Sequence, residues 1–139
     1  MCQTTNNMKK LIILCAVILG FTITASAQDS QKPEFKFNEE KHDFGKIVKG
    51  KPVTTVFTYT NVGVEPLILT EVRPTCGCTI ADFTKTPVLK GQHGTISITY
   101  NAAVASPFSK TIVVTSNAKT PVKNLIILGE VVETVTSSR

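Results

Sequence analysis

The chain has no tryptophan, two tyrosines and few aromatics in all. A surface that stacks bases needs several rings along a basic groove, so this poverty argues against a nucleic-acid partner. Helical periodicity is missing too. Beyond residue 27, no stretch of about 12 residues carries an apolar stripe at i, i+3, i+4 and i+7. Charge of one sign is not in large excess: 15 Lys and Arg stand against 10 Asp and Glu. At 139 residues there is room for one compact domain. A dinucleotide-binding half with a substrate domain does not fit, nor does a barrel of alternating strands and helices.

One apolar run is present, at the start. Met8-Lys9-Lys10 gives a short basic segment, Leu11 to Ile23 is almost wholly apolar, and Ala25-Ser26-Ala27 supplies a small-x-small pattern. This is the layout of a secretory signal peptide over residues 1–27, cut before Gln28, with Met8 reading as the initiator. The run of 13 residues is short of the roughly 20 that a membrane-spanning helix requires. No membrane span is expected after cleavage. Leu14 precedes Cys15 where a lipoprotein signal wants a small residue. Cleavage leaves 112 residues, lowers the formal charge from +5 to +3 and removes Cys2 and Cys15. The remaining pair, Cys76 and Cys78, is then carried to a compartment where disulfides form.

Residues 28–41 read as a polar leader containing Pro33, residues 42–133 as the folded domain and residues 134–139 as a polar tail. Within the domain, Val53 to Asn61 puts Val53, Thr55, Phe57 and Tyr59 on one face. Thr95 to Tyr100 alternates in the same way through Ile96, Ile98 and Tyr100, and Lys110 to Ser116 through Ile112 and Val114. Period-two alternation with β-branched residues predicts half-buried strands. Leu67 to Val72 and Asn124 to Val132 are more uniformly apolar, as central strands are. Asn61-Val62-Gly63, Lys90 to Gly94 and Ser116-Asn117-Ala118 carry turn chemistry between them. About seven short strands in about 100 residues predict an all-β, immunoglobulin-like sandwich, without the Cys…Trp…Cys framework of antibody domains.

Three motifs lose to simpler readings. Gly45 to Lys51 fits G-x-x-x-x-G-K, but Pro52 stands where a nucleotide-binding loop needs Ser or Thr, and a strand pattern follows instead of a helix. No nucleotide is expected. Lys46, Lys49 and Lys51 read as a solvated turn, since electrostatic binding wants a broader charged stripe. His42-Asp43 resembles half a catalytic dyad, yet strand neighbours face opposite sides and no nucleophile accompanies them.

Pro74-Thr75-Cys76-Gly77-Cys78-Thr79 keeps its interest. On an extended strand the two Cβ atoms would lie about 7 Å apart, too far for a bridge of about 4 Å. A tight turn at Gly77 would permit one. Such a disulfide closes a very small loop, contributes only about 1.6 kcal/mol and is expected to be labile and oxidising. Alternatively the two thiols bind a soft metal. Zinc needs two further ligands, with only His42 and His93 to offer imidazoles, whereas Cu(I) accepts two thiolates, which neighbouring Arg73 would favour. A purely structural pair is the third reading.

His42-Asp43-Phe44-Gly45-Lys46-Ile47, Phe57 to Asn61 followed by Pro66 to Leu69, and Cys76-Gly77-Cys78-Thr79 together resemble the bacterial "domain of unknown function 1573" family. Gly91 to Gly94, Thr115-Ser116-Asn117 and Gly129-Glu130-Val131 follow in the same order, so the resemblance runs from His42 to Val132. His93 departs from it, standing where members more often carry an acidic or small polar residue. The resemblance implies an exported immunoglobulin-like sandwich, related to Hydin-type and major-sperm-protein-like domains, in Gram-negative bacteria. It brings no activity. The expectation is a non-enzymatic binding or structural module of the periplasm or cell envelope, with an envelope protein as partner. The alternative is a thiol-redox or Cu(I)-binding protein using Cys76 and Cys78.

Overall fold

Alternating side chains build this protein. In Val53–Asn61, Thr55, Phe57 and Tyr59 are buried while Thr54 and Val56 face solvent, and Ile96, Ile98 and Tyr100 repeat the pattern in His93–Tyr100. The computed structural model describes residues 31–134. The expected signal peptide and most of the polar tail lie outside the described residues. Eight strands occur among those described: β1 (Phe35–Phe37), β2 (Lys41–Val48), β3 (Val53–Asn61), β4 (Leu69–Pro74), β5 (Thr79–Phe83), β6 (His93–Tyr100), β7 (Pro107–Ser116) and β8 (Val122–Val132). They form two four-stranded sheets, ordered β1-β3-β6-β5 and β2-β8-β7-β4. Every pairing is antiparallel except β2 with β8, which is parallel.

The core lies between the sheets. Phe57, Ile96 and Ile98 from one and Ile112, Val114, Leu125 and Ile127 from the other are each 0% exposed. Burying side chains of this size stabilises by about 1.5–3 kcal/mol apiece. Phe108 of β7 stacks on Tyr100 of β6 with ring centroids 4.0 Å apart, closing one end.

Three features differ from the sequence reading. The sandwich begins before His42: Phe35 and Phe37 of β1 are buried and pair with Asn61 and Tyr59 of β3, so the polar leader is not loose over this stretch. The residues just before β1 are stitched down as well. Pro33 is fully buried and its carbonyl accepts the Lys119 N–H, while the Glu34 carboxylate accepts from the Thr120 N–H and hydroxyl. Second, β5 escapes the alternation pattern because its largest aliphatic, Ile80, points outward at 72% exposure while Thr79 is buried. Third, β4 is an edge strand, not a central one. The apolar character of Leu67 and Ile68 belongs to the approach segment, where Leu67 bridges Val88.

The turns are held by asparagines. Asn61 is fully buried; its Nδ2 donates to the carbonyls of Glu65 (2.7 Å) and Val88 (2.9 Å), and its Oδ1 accepts from Gly63 N–H (2.9 Å) and Glu34 N–H (3.4 Å). Asn117 does the same for the β4 approach, accepting from Ile68 N–H and donating to the Pro66 carbonyl. At the β2 bulge, Gly45 takes a left-handed conformation (φ 65°) and its N–H donates to Asp43 Oδ1 at 2.8 Å.

Tyr59 is packed against Phe35 and Phe37, and its hydroxyl has no hydrogen-bond partner among the described residues. Burial pushes its pKa up from 10.0 to about 12. Above about pH 10 the unfolded chain therefore releases this proton before the folded one does, and stability present below that pH falls as pH rises toward 12. Tyr59→Phe is expected to lose less stability than the parent between about pH 9 and pH 11. At neutral pH it should be unchanged or about 1 kcal/mol more stable, because an unpartnered buried hydroxyl is removed. Urea denaturation at the two pH values checks both statements.

Candidate functional site

The chain leaves one sheet at Pro74 and enters the other at Thr79, and Cys76-Gly77-Cys78 forms the crossing turn. The turn is fastened on both sides. Thr75 N–H donates to the Thr111 carbonyl at 3.0 Å, Thr79 N–H to the Cys76 carbonyl at 3.4 Å, and Asn101 N–H to the Cys78 carbonyl at 3.0 Å. This bend brings the two cysteine Cα atoms to 5.4 Å, and their sulfurs are joined in a disulfide. The bridge that an extended strand forbids is thus made possible by the turn. Gly77 is not its enabling feature, however: it is not left-handed, and an added Cβ would meet nothing within 4 Å.

Both cysteines are partly exposed, and Cys78 packs against the edge of the core. The buried Thr79 hydroxyl lies 3.6 Å from Cys76 Sγ and 4.0 Å from Cys78 Sγ. Arg73 does not serve the sulfurs as the sequence suggested: its Nε and Nη2 both donate to Glu71 Oε1, at 3.0 and 2.7 Å, out in solvent.

The histidines considered as further ligands are placed elsewhere. His42 Nδ1, on β2, lies 3.2 Å from Glu39 Oε1, and His93 Nδ1, on β6, lies 2.8 Å from Thr60 Oγ1. Among the described residues, no group of three or more His, Cys, Asp or Glu side chains is gathered for a metal. The Thr60–His93 contact pairs a hydroxyl with an imidazole, but among the described residues no carboxylate bonds to that ring. A shallow depression of ≈ 270 Å³ over the β2 bulge is lined by Asp43, Lys46 and Glu130 among others, with Asp43 already bonded to the Gly45 N–H. Gly45 to Lys51 runs from that bulge through a turn into β3, with no helix to cradle a phosphate, and Lys49 is paired with Glu133 at 2.9 Å.

Sequence reasoning found the cysteine pair but attached no role to Thr79, although it closes the same motif. Thr79, Ala81 and Phe83 alternate inward, which turns the Thr79 hydroxyl under the disulfide, but the outward Ile80 masks this alternation in the sequence.

Fold and site together define an immunoglobulin-like β-sandwich with a surface disulfide at its sheet crossing. The chain belongs to the family described as protein of unknown function (DUF1573), which matches residues 35–131. No curated protein matches the chain. Among solved structures it is similar to a protein of unknown function from Porphyromonas gingivalis W83, at TM-score 0.64 and 17% identity over 80% of this chain and 51% of that one. It is also similar to the ASH / PapD-like domain of human CEP192, at TM-score 0.60 and 11% identity over 82% and 94%. Secreted serine protease VesC from Vibrio cholerae matches at TM-score 0.53 and 15% identity, over 73% of this chain. The chain thus spans about half of the Porphyromonas protein and only 23% of VesC. At such identities these likenesses show the fold alone. No helix among the described residues is long and apolar enough to cross a membrane.

Proposed function

We propose that this protein is an exported, non-enzymatic binding module of the bacterial cell envelope that engages an extended segment of a partner protein along β5. The observation that carries this reading is how the motif residues are used. Asp43, Asn61 and Asn117 are all spent holding turns and bulges, while β5 forms a sheet edge beside the exposed Ile80.

Strand edges are then the natural contact. β2 is interrupted by a bulge and carries Lys41 and Lys46, β4 has a register shift and Pro74, and β1 has three residues. Such features guard an edge against pairing. The edge of β5 is less guarded. Cys78 and Thr84 bond toward β6, so by alternation Ala81 turns its peptide groups away from the sheet, beside the exposed Ile80. A photo-crosslinker at Ile80 should give one discrete adduct in whole cells, and the same group at Val56, inside the sheet face, should not. Equal labelling at both positions, or none at Ile80, would sink the reading.

The disulfide favours a second reading, in which Cys76 and Cys78 carry out thiol–disulfide exchange, or bind Cu(I) once reduced. A bridge spanning three residues adds little stability, roughly 1.6 kcal/mol from loop closure, so its reactivity is the better reason for its presence. The double variant Cys76→Ser/Cys78→Ser is expected to fold, with a loss of no more than about 2 kcal/mol in urea denaturation. A loss of more than twice that would make the bridge structural and remove the support for exchange.

A further inference from the structure

We infer that Thr79 is a positioning residue for thiol–disulfide exchange, whose buried hydroxyl donates a hydrogen bond to the thiolate released on Cys78. This deepens the exchange reading and rests on it. Three observations carry it. Thr79 is 6% exposed and its Oγ1 lies within 4.0 Å of both sulfurs. A disulfide sulfur has no proton to give, so the hydroxyl is the donor, and its single proton serves one sulfur at a time. Cys78 packs against the core and Cys76 does not, which leaves Cys76 Sγ as the sulfur an incoming thiolate meets.

The reaction partner is a polypeptide bearing two thiols. Its first thiolate attacks Cys76 Sγ: the new sulfur–sulfur bond forms, the Cys76–Cys78 bond breaks, and the electron pair passes to Cys78 Sγ. Its second thiolate then attacks the partner sulfur of this mixed disulfide, closing a disulfide in the polypeptide and expelling Cys76 as thiolate. The polypeptide is oxidised by two electrons; Cys76 and Cys78 are reduced and take up its two protons. A thiolate formed against apolar side chains is disfavoured by desolvation, and a hydrogen bond to the charged form opposes that cost. Among the described residues, Thr79 is the one side chain whose hydroxyl lies within hydrogen-bond reach of either sulfur.

The test uses the exported chain from Gln28 onward. In a Cys76→Ser background, which leaves Cys78 as its only thiol, the Cys78 pKa is followed by thiolate absorbance. Thr79→Val is expected to raise it by about one unit, and Thr79→Ser to restore it. In the disulfide-bonded chain, reduction by dithiothreitol should slow about tenfold with Thr79→Val and recover with Thr79→Ser. If Thr79→Val does not fold, Thr79→Ala carries the comparison. A folded variant with unchanged Cys78 pKa and unchanged reduction rate overturns the role of Thr79 while leaving exchange standing. A parent protein that reacts with neither dithiothreitol nor glutathione overturns exchange itself, and the inference with it.

Discussion

Asn61→Ala is expected to cost about 4 kcal/mol, a large part of the 5–15 kcal/mol that holds a typical domain together. The side chain is fully buried and its bonds tie the approach to β1, the Asn61-Val62-Gly63 turn and the Val88 segment to the end of β3. Alanine removes four hydrogen bonds: the part-buried Glu65 carbonyl and Gly63 N–H lose this partner, while the Val88 carbonyl keeps only the Leu67 N–H at 2.9 Å. Each of the four bonds contributes about 1 kcal/mol, which gives the expected loss. Asn61→Asp keeps the acceptor and loses both donors, and it places a charge in the same site, so it should be no milder. Thermal denaturation reads the effect as a fall of about 15 °C or more for a domain of this size. A fall of only a few degrees would mean that Asn61 is not the tie between these segments.

The second large effect is expected at Gly94. It stands opposite Tyr59 in the β3–β6 register, and a Cβ built there falls on the Tyr59 ring. That ring is held between Phe35 and Phe37, at centroid distances of 6.4 and 5.6 Å, so it has little freedom to move aside. Gly94→Ala should therefore destabilise by about 2–3 kcal/mol through overpacking, although alanine suits a strand at least as well as glycine does. Combining it with Tyr59→Leu should recover at least about 1 kcal/mol in a double-mutant cycle on urea denaturation. Strict additivity of the two changes would show that the contact is not the cause.

The same strand pair shows why much of the fold was legible. In β3 and β6 most inward positions are large and apolar (Val53, Phe57, Tyr59, Ile96, Ile98 and Tyr100), Thr and Ser take most outward ones, and each inward residue of one strand meets an inward residue of the other. β1 was not legible, since Phe35-Lys36-Phe37 is too short for a period to emerge among charged neighbours, and its burial depends on β3 being already in place. β5 was missed because Ile80 points out and the inward positions begin with a threonine. β4 was read as central from the composition of Leu67 to Val72, but local hydropathy does not distinguish an edge strand from the buried segment leading into it.

At the candidate site the residues were legible and their state was not. Whether Cys76 and Cys78 meet depends on the bend between β4 and β5, which backbone bonds from Thr75 and Asn101 fix across the sandwich. Spacing alone therefore left disulfide, Cu(I) and structural readings side by side. The P-loop-like run Gly45 to Lys51 went the other way: the proline after it and the strand beyond it were enough to set it aside before the bulge and turn were seen. Asn61 and Asn117 were legible only as turn chemistry; that their side chains join distant segments required the fold.

The most direct test is the intact mass of the protein recovered from the periplasm or envelope of a Gram-negative host, with thiols blocked on lysis, before and after reduction. The account predicts a chain beginning at Gln28 that takes up no alkyl group as isolated and two after dithiothreitol. A chain that retains the first 27 residues, or one that is alkylated at Cys76 and Cys78 without reduction, would contradict it.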